Sequence, residues 1–528
     1  MTSHLSKNIA AVSNETRWDI ISVVIILVCI TSLIAGRTLQ EARRKFPPGP
    51  RGLPLLGNAH QLPVTFPERA LLQWGKIYGD IVFFKVFQSP AIVLNSIDAV
   101  RDLLDKRGSI YSARPRLVML SEMLQAPTLP GIPFESERFR KHRRWLNDAV
   151  GGRATLRRYQ HIQRREIDRL LLNLSRQPEK FDDHIHLFLA AIMLEITYGR
   201  RVQSLDDELV RLAERAMDGT NEAGRPGAVP VDFLPFLQHI PSWMPGAEFK
   251  RHAMLVRGHI RAWVDTGYDM VMSAIAAGTS EPCIFTSVLA EHGGKPTPAD
   301  AAQIKGLAFD VYAAGVETSR STLNVFLLAI TRNEYALRRA QEEIDAVVGH
   351  DRLPDFADRD SLPYTNALLE EVYRWNPVLP MAIPHCVTVD DHYRGYDIPA
   401  GCMIIPNVWA MTRDTRHYPE PEEFRPERHL RSEPKLPGDK APLPSSFVFG
   451  FGRRICAGQN LADASMWLAI ANIVALFDVR KAIDDAGNEV TPPVKLLPGF
   501  TSQPAPFLCK IVPRSDKAVA MLASLDMS

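Results

Sequence analysis

Apolar and polar residues alternate along this chain with several different periods. Ile20 to Gly36 is a charge-free apolar run of 17 residues, at the short end of what crosses a bilayer. Trp18 stands at one edge and Arg37, Arg43, Arg44 and Lys45 at the other, as expected of a retained anchor with a cytosolic basic flank. Ile81 to Leu94 reads as two short β-runs broken at Gln88-Ser89-Pro90, and Ala99 to Arg107 as a helix. Phe139 to Trp145 is helical and crowded with basic side chains. Residues from about Arg153 to Leu289 are helix-rich, with a proline-rich interruption from Gly224 to Pro245. Thr297-Pro298-Ala299-Asp300 combines a capping threonine, a proline at the first position and an acid in the first turn. That start predicts an unbroken helix to about Arg332, roughly 50 Å at 1.5 Å per residue. The last strong helical pattern runs from about Leu461 to Phe477.

Directly ahead of that last helix lies Phe449 to Gly458, F-G-F-G-R-R-I-C-A-G. A Cys456 thiolate there is stabilised by the helix dipole and by free backbone N–H groups. Gly450, Gly452 and Gly458 are read as taking positive φ and letting the backbone approach a flat ligand. Arg454 is placed to pair with an anionic group on that ligand. Within the long helix, Ala314 and Thr318 are four apart and share a face. Gly315 between them costs about 1 kcal/mol relative to alanine, which a ligand packed on its backbone, or an opened hydrogen-bond ladder, would explain. Glu371 and Arg374 sit three apart on one helix face, in a setting apolar enough for a buried pair to need further partners.

Composition narrows the class. The 528 residues are 46% hydrophobic with a net charge of +2, enough for a large core and no sign of a nucleic-acid partner. The cysteines are scattered without a C-x-x-C pair, which argues against a zinc site or a disulfide framework. The expected organisation is a short lumenal segment (1–19), an anchor (20–36), a basic and proline-rich hinge (37–58) and a single catalytic domain (59–528).

The order Phe449, Gly452, Arg454, Cys456, Gly458 resembles the haem-binding loop of the cytochrome P-450 family, F-x-x-G-x-R-x-C-x-G. Ala314-Gly315-Val316-Glu317-Thr318 matches that family's A-G-x-[DE]-T oxygen-activation motif. Arg143 fits the arginine of its W-x-x-x-R helix, with Phe139 where tryptophan is usual. Pro426-Glu427-Arg428-His429 is similar to its P-E-R-F element, with His429 replacing the aromatic. Phe46 to Pro54 resembles the proline-rich hinge of microsomal members, and the stretch around His385 looks most like enzymes of filamentous fungi.

The resemblance implies a mainly α-helical fold with a smaller β-rich region, and a haem b ligated by Cys456. It implies that Phe449, Gly452, Arg454, Gly458, Arg143 and His385 contact the cofactor. Ala314, Gly315, Glu317 and Thr318 would form the catalytic stretch, and Glu371, Arg374 and Arg428 a structural triad. Electrons would come from NADPH through a separate cytochrome P-450 reductase, since no nucleotide-binding fingerprint is present. The reductase is expected on a basic face comprising Arg140, Lys141, Arg143, Arg144 and Arg453. The expected reaction is O₂-dependent oxidation of a small lipophilic metabolite of terpenoid or polyketide type, at the endoplasmic reticulum membrane. Implied pocket residues are Met119, Tyr312, Ala313, Leu379, Met381, Ile383 and Phe500. A haem-thiolate isomerase or dehydratase is a second reading, which the Glu317–Thr318 pair argues against. A membrane haem gas sensor is a third.

Overall fold

A computed structural model of the chain describes residues 44–223, 230–430 and 441–527. The expected lumenal segment and anchor lie outside the described residues, and among the described residues no helix is long and apolar enough to cross a membrane. Two compact units emerge, one of them comprising Pro48–Thr388 and Gly401–Ser528.

The larger unit is mainly helical. Its helices include α1 (Pro67–Tyr78), α2 (Glu137–Leu146), α3 (Gln160–Arg176), α4 (Phe181–Tyr198), α5 (Glu208–Ala223), α6 (Glu248–Ala276) and α7 (Ile284–Glu291). They continue with α8 (Pro298–Arg332), α9 (Glu334–Val347), α10 (Pro363–Trp375), α11 (Gln459–Leu476) and α12 (Asp516–Met527). Most carry one apolar stripe, but α4 and α11 are apolar all round, the pattern of a helix enclosed on every side. Nearly every residue of α4 from Ile185 to Tyr198 and of α11 from Ser465 to Leu476 is buried. The long helix α8 packs on both of them. Its start is as the sequence predicts: Thr297 Oγ1 accepts the Asp300 N–H at 3.2 Å, with Pro298 at the first position.

The β region is smaller. Strands β1 (Ile81–Val86), β2 (Ser89–Leu94), β3 (His385–Cys386) and β4 (Met403–Pro406) form a sheet in the order β1-β2-β4-β3. β1 and β2 pair antiparallel from Ile81↔Leu94 to Val86↔Ser89. The break between them is therefore Phe87-Gln88, with Phe87 at φ 53°, one residue ahead of the position that Ser89-Pro90 suggested. Proline at 90, the second residue of β2, is tolerated because the pairing with β4 starts only at Ala91. β5 (Phe477–Ile483), β6 (Glu489–Val490) and β9 (Cys509–Pro513) form a second sheet, and β7 (Leu496–Leu497) pairs with β8 (Gln503–Pro504). The expected helix at 99–107 is a short helix, Ile97–Val100, followed by wider turns over Arg101–Lys106.

The proline-rich stretch is not a free connector over its second half. Pro48 O accepts the Phe83 N–H at 3.0 Å, and Asn58 exchanges bonds with the Lys85 backbone at 2.6 and 2.9 Å. Residues 48–58 therefore belong to the body that carries β1. The described part of the smaller unit is a hairpin of Asp391–Tyr393 and Tyr396–Ile398. In it Arg44 pairs with Asp390 at 2.8 Å and the Lys45 N–H reaches Asp397 at 2.7 Å.

One buried charge ties several loops to α10. Glu371 and Arg374 are both fully buried and meet in a bidentate pair at 2.7 and 2.8 Å. The remaining Arg374 donors reach the carbonyls of Thr412, Pro421 and Glu423. Glu371 also accepts from Arg428 at 3.2 Å, from the Arg425 N–H at 2.8 Å and from His429 Nε2 at 2.8 Å. The histidine that replaces the usual aromatic thus contributes a direct bond to the carboxylate. Next along the helix, Glu370 holds the Ser445 N–H and hydroxyl at 2.9 and 2.6 Å. That contact anchors the segment leading into the Cys456 loop.

Burial alone would push the Glu371 carboxyl up, but the bonds from Arg374 and His429 outweigh it and hold it at about 2. A carboxylate depressed in the fold adds stability above its ordinary pKa and loses it as pH falls toward that value. Glu371→Gln, which leaves buried guanidinium charge uncompensated, is expected to lower unfolding free energy by about 3–5 kcal/mol. Chemical denaturation at neutral pH measures it. The gap between wild type and variant should close as pH is lowered from 4.5 toward 2; a constant gap would contradict the depressed carboxylate.

Candidate functional site

The Cys456 loop closes on itself before α11 begins. Phe449 O accepts the Cys456 N–H at 2.9 Å, and the Phe449 ring meets Tyr373 edge-on at 5.4 Å. Gly450 and Gly452 have φ of 91° and 53°, as the sequence suggested. Gly458 does not: at φ −87° and ψ 4° it is the ordinary residue ahead of α11. The close approach at Gly452 is also to protein and not to a ligand. A Cβ there would lie 2.1 Å from Leu104 O, and its N–H donates to Asp105 at 2.7 Å.

The Cys456 sulfur receives the backbone N–H groups of Gly458 and Gln459, at the start of α11. Burial raises its thiol pKa, while those amides and Arg143 pull the other way and lose. Yet Cys456 exposes surface, the one described cysteine classed as exposed. Close enclosure and exposure agree if that surface faces an internal space. Ala314, in the middle of α8, is exposed in the same way, although its neighbours Tyr312 and Val316 are buried.

Positive charge gathers near the thiol; Glu135 acts on Arg454 through space, but none of the three arginines here forms an ion pair among the described residues. Arg143 is half-buried, is coupled electrostatically to Cys456 and pairs with no carboxylate among the described residues. Arg454 donates to the carbonyls of Ser112, Leu129 and Ile132 at 2.9, 3.4 and 3.2 Å, and lies over the Phe139 ring at 4.1 Å. Arg114 donates to the carbonyls of Ile383 and Pro384 at 2.5 and 2.8 Å, and its buried Nε has no partner. Burial, with Arg454 adding to it, lowers Arg114 to about 9; burial and Arg143 lower Arg454 to about 10. Both stay cationic at neutral pH. His385 Nδ1 donates to Tyr111 O at 2.7 Å, and burial, with Arg114 beside it, pushes its pKa down to about 3. Arg114 was not singled out from the sequence. Its partners come from about 270 residues away.

On α8 the expected stretch divides. Thr318 Oγ1 donates back to Ala314 O at 2.5 Å. Glu317 is half-buried, and burial raises its carboxyl above the ordinary range. It lines a pocket of about 210 Å³ with His186, Glu214, Met217, Tyr312, Ala313 and Val316. Gly315 does not face a ligand: a Cβ there would meet Met193 Sδ of α4 at 2.4 Å. The glycine is present so that α4 can approach α8.

The expected substrate-lining residues are not gathered in one place. Met381 and Phe500 line a different pocket, of about 540 Å³, with Phe66, Glu68 and Leu497. Met119 is buried, its N–H donating to Asp232 at 2.9 Å. Leu379 and Ile383 are half-buried and line neither pocket. The expected partner face is also partly neutralised: Lys141 pairs with Asp300 at 2.7 Å and Arg144 with Glu291 at 2.8 Å.

These residues fit a haem. Among the described residues, no group of three or more histidine, cysteine or acidic side chains could hold a metal ion. A lone enclosed thiol therefore suits a metal whose other ligands come with a prosthetic group. Three arginines bonded to carbonyls, or to nothing, suit a group that carries carboxylates. Together with the mainly helical fold this describes a haem-thiolate protein. The family model for cytochrome P450 matches residues 47–511. The chain is 41% identical to cytochrome P450 monooxygenase 136 of Postia placenta, over 92% of each chain. It is 38% identical to monooxygenase 176 of the same fungus over 97% of this chain and 98% of that one. A cytochrome P450 monooxygenase of Armillaria gallica is 39% identical over 92% of this chain and 95% of its own length. The chain belongs to the cytochrome P450 family and is a P450 monooxygenase, an oxidoreductase of the haem-thiolate type.

Gly315→Ala is expected to destabilise the protein by about 1–3 kcal/mol through overpacking on Met193. In a Met193→Ala background the same change should stabilise by up to about 1 kcal/mol, the helix-propensity gain alone. Thermal denaturation of the four proteins reads the reversal, and equal effects in both backgrounds would contradict the contact.

Proposed function

We propose that this chain is a membrane-anchored P450 that oxidises a small lipophilic metabolite, taking electrons from NADPH through a separate reductase. Its setting would be the endoplasmic reticulum membrane, with residues 59–528 forming the cytosolic catalytic domain and terpenoid or polyketide metabolism as its context. The observation that carries the reading is the Cys456 thiol, enclosed by protein yet presenting exposed surface.

Bound haem would supply a redox iron for O₂ chemistry, made electron-rich by a thiolate ligand. Cys456 would hold that iron as a thiolate, the metal's charge offsetting the upward push of burial on the thiol. The amides of Gly458 and Gln459 then hold the sulfur charge. Arg143 and Arg454 pair with the cofactor's carboxylates, and Arg114 is a third candidate. His385 joins them only with a second proton, since its Nδ1–H is committed to Tyr111 O; an approaching carboxylate favours that proton. Phe449, Gly452 and Gly458 shape the loop beneath. Ala314, exposed in mid-helix, would leave room for the cofactor. Glu317, whose carboxyl burial raises, and Thr318 would hold and hand on the protons that the reaction requires. Apolar side chains such as Met381 and Phe500 lie on the route of a lipophilic substrate.

The reduced carbon monoxide complex should show the red-shifted Soret band of a thiolate haem, and Cys456→Ala should abolish it. Retention of that band and of activity in the variant would end the reading. Thr318→Ala should keep the band but divert NADPH electrons to peroxide, lowering product per NADPH by up to about a hundredfold, the low side of what a positioned proton donor contributes. Unchanged product per NADPH would favour an isomerase or dehydratase.

A further inference from the structure

The turn from Thr128 to Ile132 is held from two sides by charges. From α8, Asp310 accepts the Thr128 hydroxyl at 2.7 Å and the Leu129 N–H at 3.0 and 2.9 Å, one to each carboxylate oxygen. One helical turn earlier, Gly306 shares that face, and a Cβ there would lie 2.7 Å from Pro127 O. The missing side chain at 306 lets the loop sit on the helix, and the carboxylate at 310 grips the next two residues. From the Cys456 loop, Arg454 reaches the carbonyls of Leu129 and Ile132 at 3.4 and 3.2 Å. Asp310 and Arg454 thus grip the N–H and the C=O of the same residue, Leu129.

Behind Asp310 lies His142 of α2. It is fully buried, neither ring nitrogen has a hydrogen-bond partner, and its Nε2 is 3.8 Å from Asp310 Oδ2. Arg138, also on α2, acts on both groups. A buried carboxylate beside an unpartnered imidazole, spent on a half-buried turn, is an expensive arrangement unless the turn must be held in one place.

We propose that Asp310 is a positioning residue for the cofactor's carboxylates, acting through the Thr128–Ile132 turn on Arg454, with His142 closing off its back. The proposal rests on Arg454 holding a cofactor carboxylate, as in the proposed function. Burial raises Asp310 to about 7, against the bonds from Thr128 and Leu129 and the charge of Arg138; His142 is lowered to about 4 by burial and by Arg138, so it is neutral at that pH. The carboxyl is therefore protonated below about pH 7 and charged above it, and a charged acceptor holds its donors more strongly. Because its folded pKa is raised, its contribution to global stability is fullest below the ordinary carboxylate pKa and is lost as pH rises through about 7. The turn should tighten over the same interval in which the whole fold loses that contribution. A merely structural carboxylate would move both together.

The test is hydrogen exchange of the segment containing Leu129 in the haem-loaded enzyme, corrected for intrinsic exchange, from about pH 6 to about pH 8. In wild type, protection should rise across that range while the melting temperature falls. Asp310→Asn, which keeps an acceptor but cannot ionise, should hold the turn with no pH dependence. Asp310→Ala should lose about tenfold in protection at the upper pH, the size of one charged hydrogen bond. It should also release haem to apomyoglobin several-fold faster, and Asp310→Asn should restore most of that retention. Thr128→Val, a milder change, should lose part of the protection and keeps the test open if Asp310→Ala does not fold. A pH-independent turn in wild type, or variants whose exchange and haem release match wild type, would overturn the proposal. The thiolate carbon monoxide band, recorded on the same samples, is read separately: its absence from wild type would end the reading of Cys456 as the haem ligand, whereas its presence with unchanged exchange ends only this inference.

Discussion

A surplus of buried positive charge beside one thiol is the constraint around which the site is arranged. Arg143, Arg114 and Arg454 reach only carbonyl oxygens, an aromatic ring or no partner at all. Guanidinium groups lowered by burial and by one another are tolerable in a fold only when anionic charge is brought to them. A prosthetic group with two carboxylates and a metal that accepts a thiolate meets both demands at once. The loop that carries Cys456 is held by Phe449 from within and by Asp105 through Gly452.

The scaffold around this charge is built to stay still. α8 runs between α4 and α11, helices apolar on every face, and is close enough to α4 that residue 315 has no room for a side chain. On the other side, Glu371 collects two arginines, a histidine and a backbone amide from its own helix and from residues 425–429. Its neighbour Glu370 passes that order to Ser445, and Gln459 Nε2 donates to Ser445 O at 3.2 Å. A network of this kind is strongly destabilising to break, because removing one member strands a buried charge.

Much of this was legible in the sequence, wherever the controlling interaction is local. The cap at Thr297 and the run to Arg332 follow from adjacent residues and hold to within one position. The cysteine ahead of a helix, the Ala314–Thr318 stripe and the Glu371–Arg374 pair are likewise short-range patterns. What was not legible depends on chain that arrives from far away. Gly315 looked like a place for a ligand because Met193 is invisible at that distance in sequence. Gly452 looked the same, and its neighbour is Leu104. Arg114 gave no signal since its partners are carbonyls of Ile383 and Pro384. Lys141 and Arg144 read as free basic surface, but each has found an acid.

The central claim is that Cys456 holds the iron of a haem whose carboxylates meet Arg143 and Arg454. X-ray diffraction from crystals of the purified protein, collected on both sides of the iron absorption edge, tests it most directly. The account predicts one anomalous peak within bonding distance of Cys456 Sγ, with two carboxylates of the same group at those arginines. An iron peak at another side chain, or a haem whose carboxylates point away from both arginines, would contradict it.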